Sequence, residues 1–284
     1  MLKKRLKAYL LRLLTSWLPL CEPFRQTQLR VDALEGQMRE QQALNVAPGP
    51  FLVNDGTLGR SAYLPENLRE PAVHDEDQLY DTLAVAFRSN AAWLHEEMER
   101  LAAFIRPVAG ESGERLPIID VGCGRGALLD VLKERGIPAV GVDLNEKSAQ
   151  VAREHGHEVI IGDGLSYLRQ RPAASCGGIA LIMVSEHIPF SEMYQAMFLF
   201  ADKTARGGVL IINTINPYCV RRLGHFCMDP SHKNFAPPDL YKVVMEMAGF
   251  VDVKMVWSAP ISGVVPKDDW YAGYENVTLV GYRA

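Results

Sequence analysis

Cysteine pairs, a basic excess, internal repeats and a bilayer-length apolar run are all missing from this chain of 284 residues. Its five cysteines (Cys21, Cys123, Cys176, Cys219 and Cys227) are odd in number and irregularly spaced, which fits reduced thiols rather than a disulfide framework. A net charge of −4 argues against a dedicated nucleic-acid binder, because neutralising phosphates favours a basic domain. The apolar stretch near the start is short and broken by Arg12, so it should not span a bilayer, and no small-residue cleavage site follows it to mark a secretory signal. These absences point to a cytoplasmic protein. What is present, 48% hydrophobic residues, is enough for one sizeable core plus an extension.

Residues 1–24 are set apart by charge. The first 20 residues hold five basic groups and no acid, and at helical spacing Leu2, Leu6, Tyr9, Leu10, Leu13 and Trp17 share one face. A basic amphipathic helix of this kind can lie on the inner membrane surface, or it can pack on the domain or on another subunit. Residues 25–45 are polar, with Val31, Leu34 and Met38 at heptad-like positions that could pair two protomers into a homodimer. Residues 46–77, rich in Pro, Gly and charge, read as a linker or flap. Helix is expected to resume at Gln78 and run to about Ile105, opening a domain over 78–284.

The most informative stretch is Leu116 to Asn145. Leu116 to Ile119 is apolar without alternation, as in a strand covered on both faces of a parallel sheet. A glycine turn follows, Asp120-Val-Gly122-Cys123-Gly124-Arg-Gly126, then Ala127, Leu128, Val131 and Leu132 at helical spacing, with Gly136 as a stop. A second strand, Ile137 to Val142, ends at Asp143, where a carboxylate can accept hydrogen bonds from both hydroxyls of a ribose. This is a βαβ nucleotide-binding unit. Its turn reads D-x-G-x-G-x-G rather than the G-x-G-x-x-G of nicotinamide sites.

That turn resembles motif I of the Rossmann-like S-adenosylmethionine-dependent methyltransferases. The chain downstream is similar to the same family: a helix over Glu146 to His155, a strand from Glu158 to Ile161 ending at Gly162-Asp163-Gly164, and a strand from Ile179 to Val184 leading into Ser185-Glu186-His187. A helix through Ala205, Gly207-Gly208, the strand Val209 to Ile212, a helix from Pro237-Pro238 to Gly249 and the strands Val251 to Val256 and Val277 to Tyr282 complete the order. The resemblance implies an α/β fold: a seven-stranded, mostly parallel sheet with one antiparallel strand and helices on both faces. It implies S-adenosyl-L-methionine as cofactor, held by Asp120, Gly122, Cys123, Gly124, Gly126, Asp143, Leu144, Asp163 and Gly164, with Asp163 at the adenine amino group.

A narrower resemblance covers roughly Leu79 to Ala284. Phe87-Arg88-Ser89, Asn216-Pro217, the run Phe226-Cys-Met-Asp229-Pro230-Ser231-His232 and the tail Tyr271 to Tyr282 resemble bacterial methyltransferases of surface-polysaccharide assembly, including those that terminate O-antigen chains. It implies a sugar acceptor on a lipid-linked glycan, with Arg88 and Asn216 among the substrate contacts. The chain departs from that pattern at Asn213, where such proteins commonly carry glutamate.

A sulfonium methyl is already activated, so the protein must hold donor and nucleophile in line and remove a proton from a hydroxyl acceptor. His187, at the end of the fourth strand, is the first candidate base, unless it is a helix-start residue satisfied by local backbone. Glu186 either joins it or serves as a favourable charge at a helix N-terminus. Asp229 and His232 form a candidate acid–base pair; the alternative is an Asp-Pro-Ser turn closed on its own backbone. Arg221 and Arg222 could meet phosphate or carboxylate groups, or simply be solvated. No metal is expected. Cys219, His225, Cys227 and His232 lack the spacing of a structural zinc site, and Glu186-His187, an element shared with some quinone-pathway O-methyltransferases, lacks a clear acidic partner for Mg²⁺. The rivals to glycan methylation are methylation of a small metabolite such as a quinone precursor, and a non-catalytic scaffold in glycan assembly.

Overall fold

The structure, a computed structural model, describes residues 91–260 and 270–284. The expectations for residues 1–24, 25–45 and 46–77, for the helical stretch up to residue 90 and for Arg88 lie outside the described residues.

A first helix, α1 (Ala91–Ala102), is followed by β1 (Ile118–Val121), α2 (Ala127–Glu134), β2 (Ala139–Asp143), α3 (Glu146–Glu154) and β3 (Val159–Ile161). Then come α4 (Gly164–Gln170), β4 (Cys176–Ile182), a 3₁₀ turn (Ser185–His187), α5 (Phe190–Lys203) and β5 (Thr204–Ile215). Helices α6 (Val220–Met228) and α7 (Pro238–Met247) precede β6 (Phe250–Pro260), a second 3₁₀ turn (Trp270–Gly273) and β7 (Tyr274–Arg283). The strands form one sheet in the order β3-β2-β1-β4-β5-β7-β6. β7 runs antiparallel to both β5 and β6, whereas the pairs β1–β2, β1–β4, β2–β3 and β4–β5 are parallel. The expected α/β sheet with one antiparallel strand is therefore present.

Local sequence explains these elements. All four residues of β1 are buried because helices cover both sides of the strand. In α5 the buried Met193, Ala196, Met197, Phe200 and Ala201 recur at i, i+3, i+4, i+7 and i+8, a single stripe facing the sheet. One core layer joins Ile119, Leu181 and Ile212 to α4, α5 and α7. The opposite layer joins Ile118, Ala180 and Val280 to α1 and α2. Asn145 caps α3 by accepting from Ser148 N at 2.9 Å, so β2 passes into the helix within two residues.

The strand bounds differ from expectation where backbone geometry overrides hydrophobicity. β4 stops at Ile182 because Met183 takes a left-handed conformation (φ 55°), although Met183 and Val184 are apolar enough to continue it. Helix α6 lies in what reads in sequence as an acceptor loop, because Arg221, Arg222, Gly224 and His225 interrupt its apolar pattern. Among the described residues no helix is long and apolar enough to cross a membrane.

Candidate active site

The carboxyl ends of β1, β2, β3 and β4 lie along one edge of the sheet, and strand order reverses between β1 and β4. A crevice opens outside strand ends at such a reversal, and the candidate residues cluster there.

On the β1–β2 side, Gly122, Gly124 and Gly126 all have positive φ (70°, 54° and 88°). At Gly122 a Cβ would lie 2.3 Å from Val184 Cγ2, so only glycine lets the turn pass β4 this closely. Asp143 closes the turn from the next strand. Its Oδ2 accepts from Gly124 N at 2.7 Å and its Oδ1 from Asn145 N at 2.7 Å. A carboxylate at the end of the second strand is the group that accepts ribose hydroxyls in nucleotide-binding sites of this fold. Leu144, next in the chain, exposes 73% of its surface and offers an apolar face for a base beside that ribose. Asp120 is buried under the turn. Cys123 is buried as well, and burial together with the charges of Asp120 and Asp143 pushes its thiol far above the usual range, so it stays protonated and is no nucleophile. Asp163, at the end of β3, is exposed and caps α4 by accepting from Ser166 N at 2.7 Å. Gly164 is buried against Val121. These residues form a cradle with the polarity and shape an adenosine requires.

The acceptor side is built from the β4 end and the segment between α6 and α7. Glu186 is buried, and its Oε2 accepts from the Thr214 hydroxyl at 3.0 Å. Its carbonyl accepts from Lys233 N at 2.7 Å and Asn234 N at 3.0 Å, and Asn234 Nδ2 returns a bond to Ser185 O at 3.2 Å. This clamp brings the Asp229–His232 segment over His187. Glu186 therefore acts from the interior, not as a surface charge at a helix start.

There the polar side chains form a chain. Ser231 Oγ lies 2.8 Å from His187 Nδ1 and donates to Asp229 Oδ1 at 2.5 Å, while Ser231 N donates to the same carboxylate oxygen at 2.8 Å. Since the serine proton is committed to the carboxylate, its lone pair accepts from His187 Nδ1–H, which leaves Nε2 as the basic nitrogen. Burial raises the pKa of Asp229, but the two Ser231 bonds and the His232 and His187 rings outweigh it, and the net shift is downward. The His232 ring stands 4.6 Å from that of His187; its Nδ1 lies 2.8 Å from Phe226 O and its Nε2 3.8 Å from Asp229 Oδ2. The Asp-Pro-Ser turn and the acid–histidine cluster are thus the same structure. Ser231 is the residue that sequence reasoning passes over, although a hydroxyl between an acid and a histidine in D-P-S-H was its signal.

Two expected substrate contacts are engaged elsewhere. Asn216 is fully buried: its Nδ2 donates to Tyr271 O (2.8 Å) and Tyr274 O (2.7 Å), and its Oδ1 accepts from Tyr218 N (3.0 Å). It ties the end of β5 to the start of β7 and presents nothing to a substrate. Arg222 Nη2 donates to Asn276 Oδ1 at 3.1 Å, and its Nε faces Glu275 Oε2 at 3.3 Å, so its charge is met within the domain. The backbone of Arg221 belongs to α6, while its side chain lies outside the described residues. Asn213, the departure from the glutamate pattern, donates to Thr278 Oγ1 at 2.8 Å and joins β5 to β7.

Glu186, His187 and His232 offer ligand atoms within 4.8 Å of one another. Two imidazoles and one carboxylate are a nitrogen-rich set, unlike the oxygen shell that Mg²⁺ demands, and the carboxylate already serves Thr214. The residues do not fit Mg²⁺.

Asn216→Ala should lower stability by about 1–3 kcal/mol, the cost of leaving buried carbonyls without a donor. Urea unfolding would measure this; a loss of acceptor affinity at unchanged stability would refute the structural assignment.

Comparison with known proteins agrees with this geometry. The chain is 31% identical over 130 residues to a ubiquinone biosynthesis O-methyltransferase of Paracidovorax citrulli, covering 43% of the chain and 52% of that protein. It is 43% identical over 121 residues to the protein of the same name from Bordetella avium, covering 40% and 48%. The chain spans about half the length of the curated relatives it matches. Among solved structures, a SAM-dependent methyltransferase from Archaeoglobus fulgidus superposes with a TM-score of 0.62 at 22% identity, over 72% of this chain and 99% of that one, a likeness of fold. Residues 93–255, more than half of the sequence, match the family described as "Methyltransferase domain", and the chain belongs to that family.

Proposed function

We propose that the protein is an S-adenosylmethionine-dependent O-methyltransferase that methylates a hydroxyl of a small acceptor of the quinone-precursor type. The observation that carries this reading is the His187–Ser231–Asp229 chain, a hydroxyl-deprotonating arrangement set beside an adenosine-shaped cradle. The names of the curated relatives favour the small aromatic acceptor over the surface polysaccharide that the D-P-S-H and Asn-Pro segments suggest.

When bound, S-adenosylmethionine supplies an electrophilic methyl group whose transfer leaves a neutral thioether. The chain's own residues do the rest. Asp143 and the glycine turn, already hydrogen-bonded to each other, would hold the ribose, and the exposed Leu144 would cover the base. His187 Nε2 takes the proton of the acceptor hydroxyl as the oxygen becomes nucleophilic. The proton on Nδ1 stays hydrogen-bonded to Ser231, and the Asp229 carboxylate beyond it stabilises the positive ring that results. His232, its ring tilted at 54° and 4.6 Å from that of His187, limits the rotation of His187.

Calorimetric titration should show binding of S-adenosylmethionine and S-adenosylhomocysteine but not NADH, with binding lost in Asp143→Ala; no binding of either sulfur ligand would overturn the reading. A sugar-linked acceptor outperforming a catechol-type acceptor in methyl-transfer assays would instead revive the polysaccharide reading.

The pH profile tests the chain. The pKa of Asp229 is lowered in the folded protein, so its carboxylate persists at neutral pH and its contribution is lost only as pH falls through that lowered value, below the ordinary carboxylate range near 3.9. A fall in rate on acidification above that range therefore does not come from Asp229. Ser231→Ala should lower kcat by about 10- to 100-fold and move that acid limb, with KM for the donor unchanged. An unaltered pH profile would exclude Ser231 from the relay.

We further propose that residues 1–24 bring the enzyme to an anionic membrane surface, where an acceptor with a lipid tail would be presented. The basic, amphipathic sequence, with five basic residues and no acid in its first 20 positions, supports this. Deletion of residues 1–24 should move the protein from the membrane to the soluble fraction of lysed cells; unchanged fractionation would refute it.

A further inference from the structure

We propose that Asp130, His155 and His157 form a site for a divalent transition-metal ion of the zinc class, separate from the active site. Asp130 lies in the first turn of α2, and the two histidines flank Gly156 just after α3. Gly156 has φ 80°, which reverses the chain so that both rings converge on the aspartate. His157 Nε2 is hydrogen-bonded to Asp130 Oδ1 at 2.7 Å, a bond that an entering ion would replace, and His155 Nδ1 stands 3.8 Å from Asp130 Oδ2; one ligand atom from each residue falls within 4.8 Å of the other two.

The geometry suits a metal in three further respects. The histidine loop is fixed by its own backbone, with His155 N, Gly156 N and His157 N donating to Val151 O, Arg153 O and Ala152 O at 3.2, 2.8 and 3.3 Å. His157 keeps only 6% of its side chain exposed, whereas His155 keeps 51% and Asp130 42%, so the ligands meet at a rim where water can complete a fourth position. Two imidazoles and a carboxylate are the donor set of Zn²⁺ and its neighbours, and a poor one for Mg²⁺ or Ca²⁺. Lys133 lies close by, but its Nζ donates to His155 O at 3.0 Å, which turns its charge toward a carbonyl.

Two other His/Glu groups compare less well. Glu99 in the group with His95 and Glu134 is already paired with Arg135, and the Glu186–His187–His232 group belongs to the acceptor site. At the proposed site an ion would fasten the start of α2 to the end of α3. The glycine turn would feel it directly, since His157 Cδ2 lies 3.1 Å from where a Cβ on Gly126 would stand.

Zn²⁺ titrated into the full chain by calorimetry, without methyl donor and with Mg²⁺ as control, tests this independently of the proposed activity. Relative to wild type, His155→Ala and Asp130→Asn should each lose one zinc equivalent or at least tenfold in affinity. Zn²⁺ should also raise the Tm of the wild type but not of the variants, each compared with its own metal-free Tm. Equal stoichiometry and affinity in wild type and both variants would overturn the proposal.

Discussion

The Asp143 carboxylate holds the donor side of the site together before any ligand arrives. It accepts one backbone bond from the glycine turn after β1 and one from the segment leading into α3, so a single side chain sets the distance between two parallel strands' exits. Bonds from neutral amides to a charged acceptor are about twice as strong as neutral ones, and here they restrain a turn whose three glycines would otherwise be the loosest part of the chain. A preformed cradle lowers the ordering cost of binding. The same constraint explains why Gly122 must lack a side chain, since the turn that Asp143 pulls inward would drive a Cβ into Val184.

The acceptor side depends on a different device. Glu186 is buried at the end of β4, and its main chain, rather than its carboxylate, carries the long-range consequence: two amides from residues 233 and 234 bond to its carbonyl. That clamp joins segments more than 40 residues apart and seats Asp229, Ser231 and His232 beside His187. The left-handed Met183 is the local strain accompanying this geometry, because the chain must leave the sheet sharply for residues 185–187 to turn into the crevice.

The donor half of this arrangement is legible in sequence because it is local. Asp120 to Asp143 spans one βαβ unit, and glycine spacing, strand hydrophobicity and a terminal acid each have a direct structural meaning. The acceptor half is only partly legible. D-P-S-H leaves two competing readings, a closed turn and an acid–histidine pair, that cannot be separated in sequence; in the structure Asp229 closes its own turn through Ser231, stands 3.8 Å from His232, and through the same serine hydroxyl reaches His187 instead. Asn216 shows the opposite failure. Its polarity next to a proline suggests a ligand contact, yet its amide satisfies two carbonyls and one amide of the protein, which no local pattern reveals. Arg222 is similar, its partners Glu275 and Asn276 lying over 50 residues away on β7.

The two halves also divide the chemistry. On the donor side the thiol of Cys123 is kept protonated by burial and by two neighbouring carboxylates, so it would not compete for an electrophilic methyl group. On the other side the lowered pKa of Asp229 keeps a negative charge in place behind His187, where in the proposed reaction it would favour a protonated ring. Negative charge thus suppresses one nucleophile and helps release another. The difference lies in what each carboxylate meets: a thiol whose ionisation it opposes, or a hydroxyl that passes its effect to an imidazole. In the proposed reaction, the position of acids relative to the crevice, more than their number, would direct the methyl group to the acceptor and away from the protein.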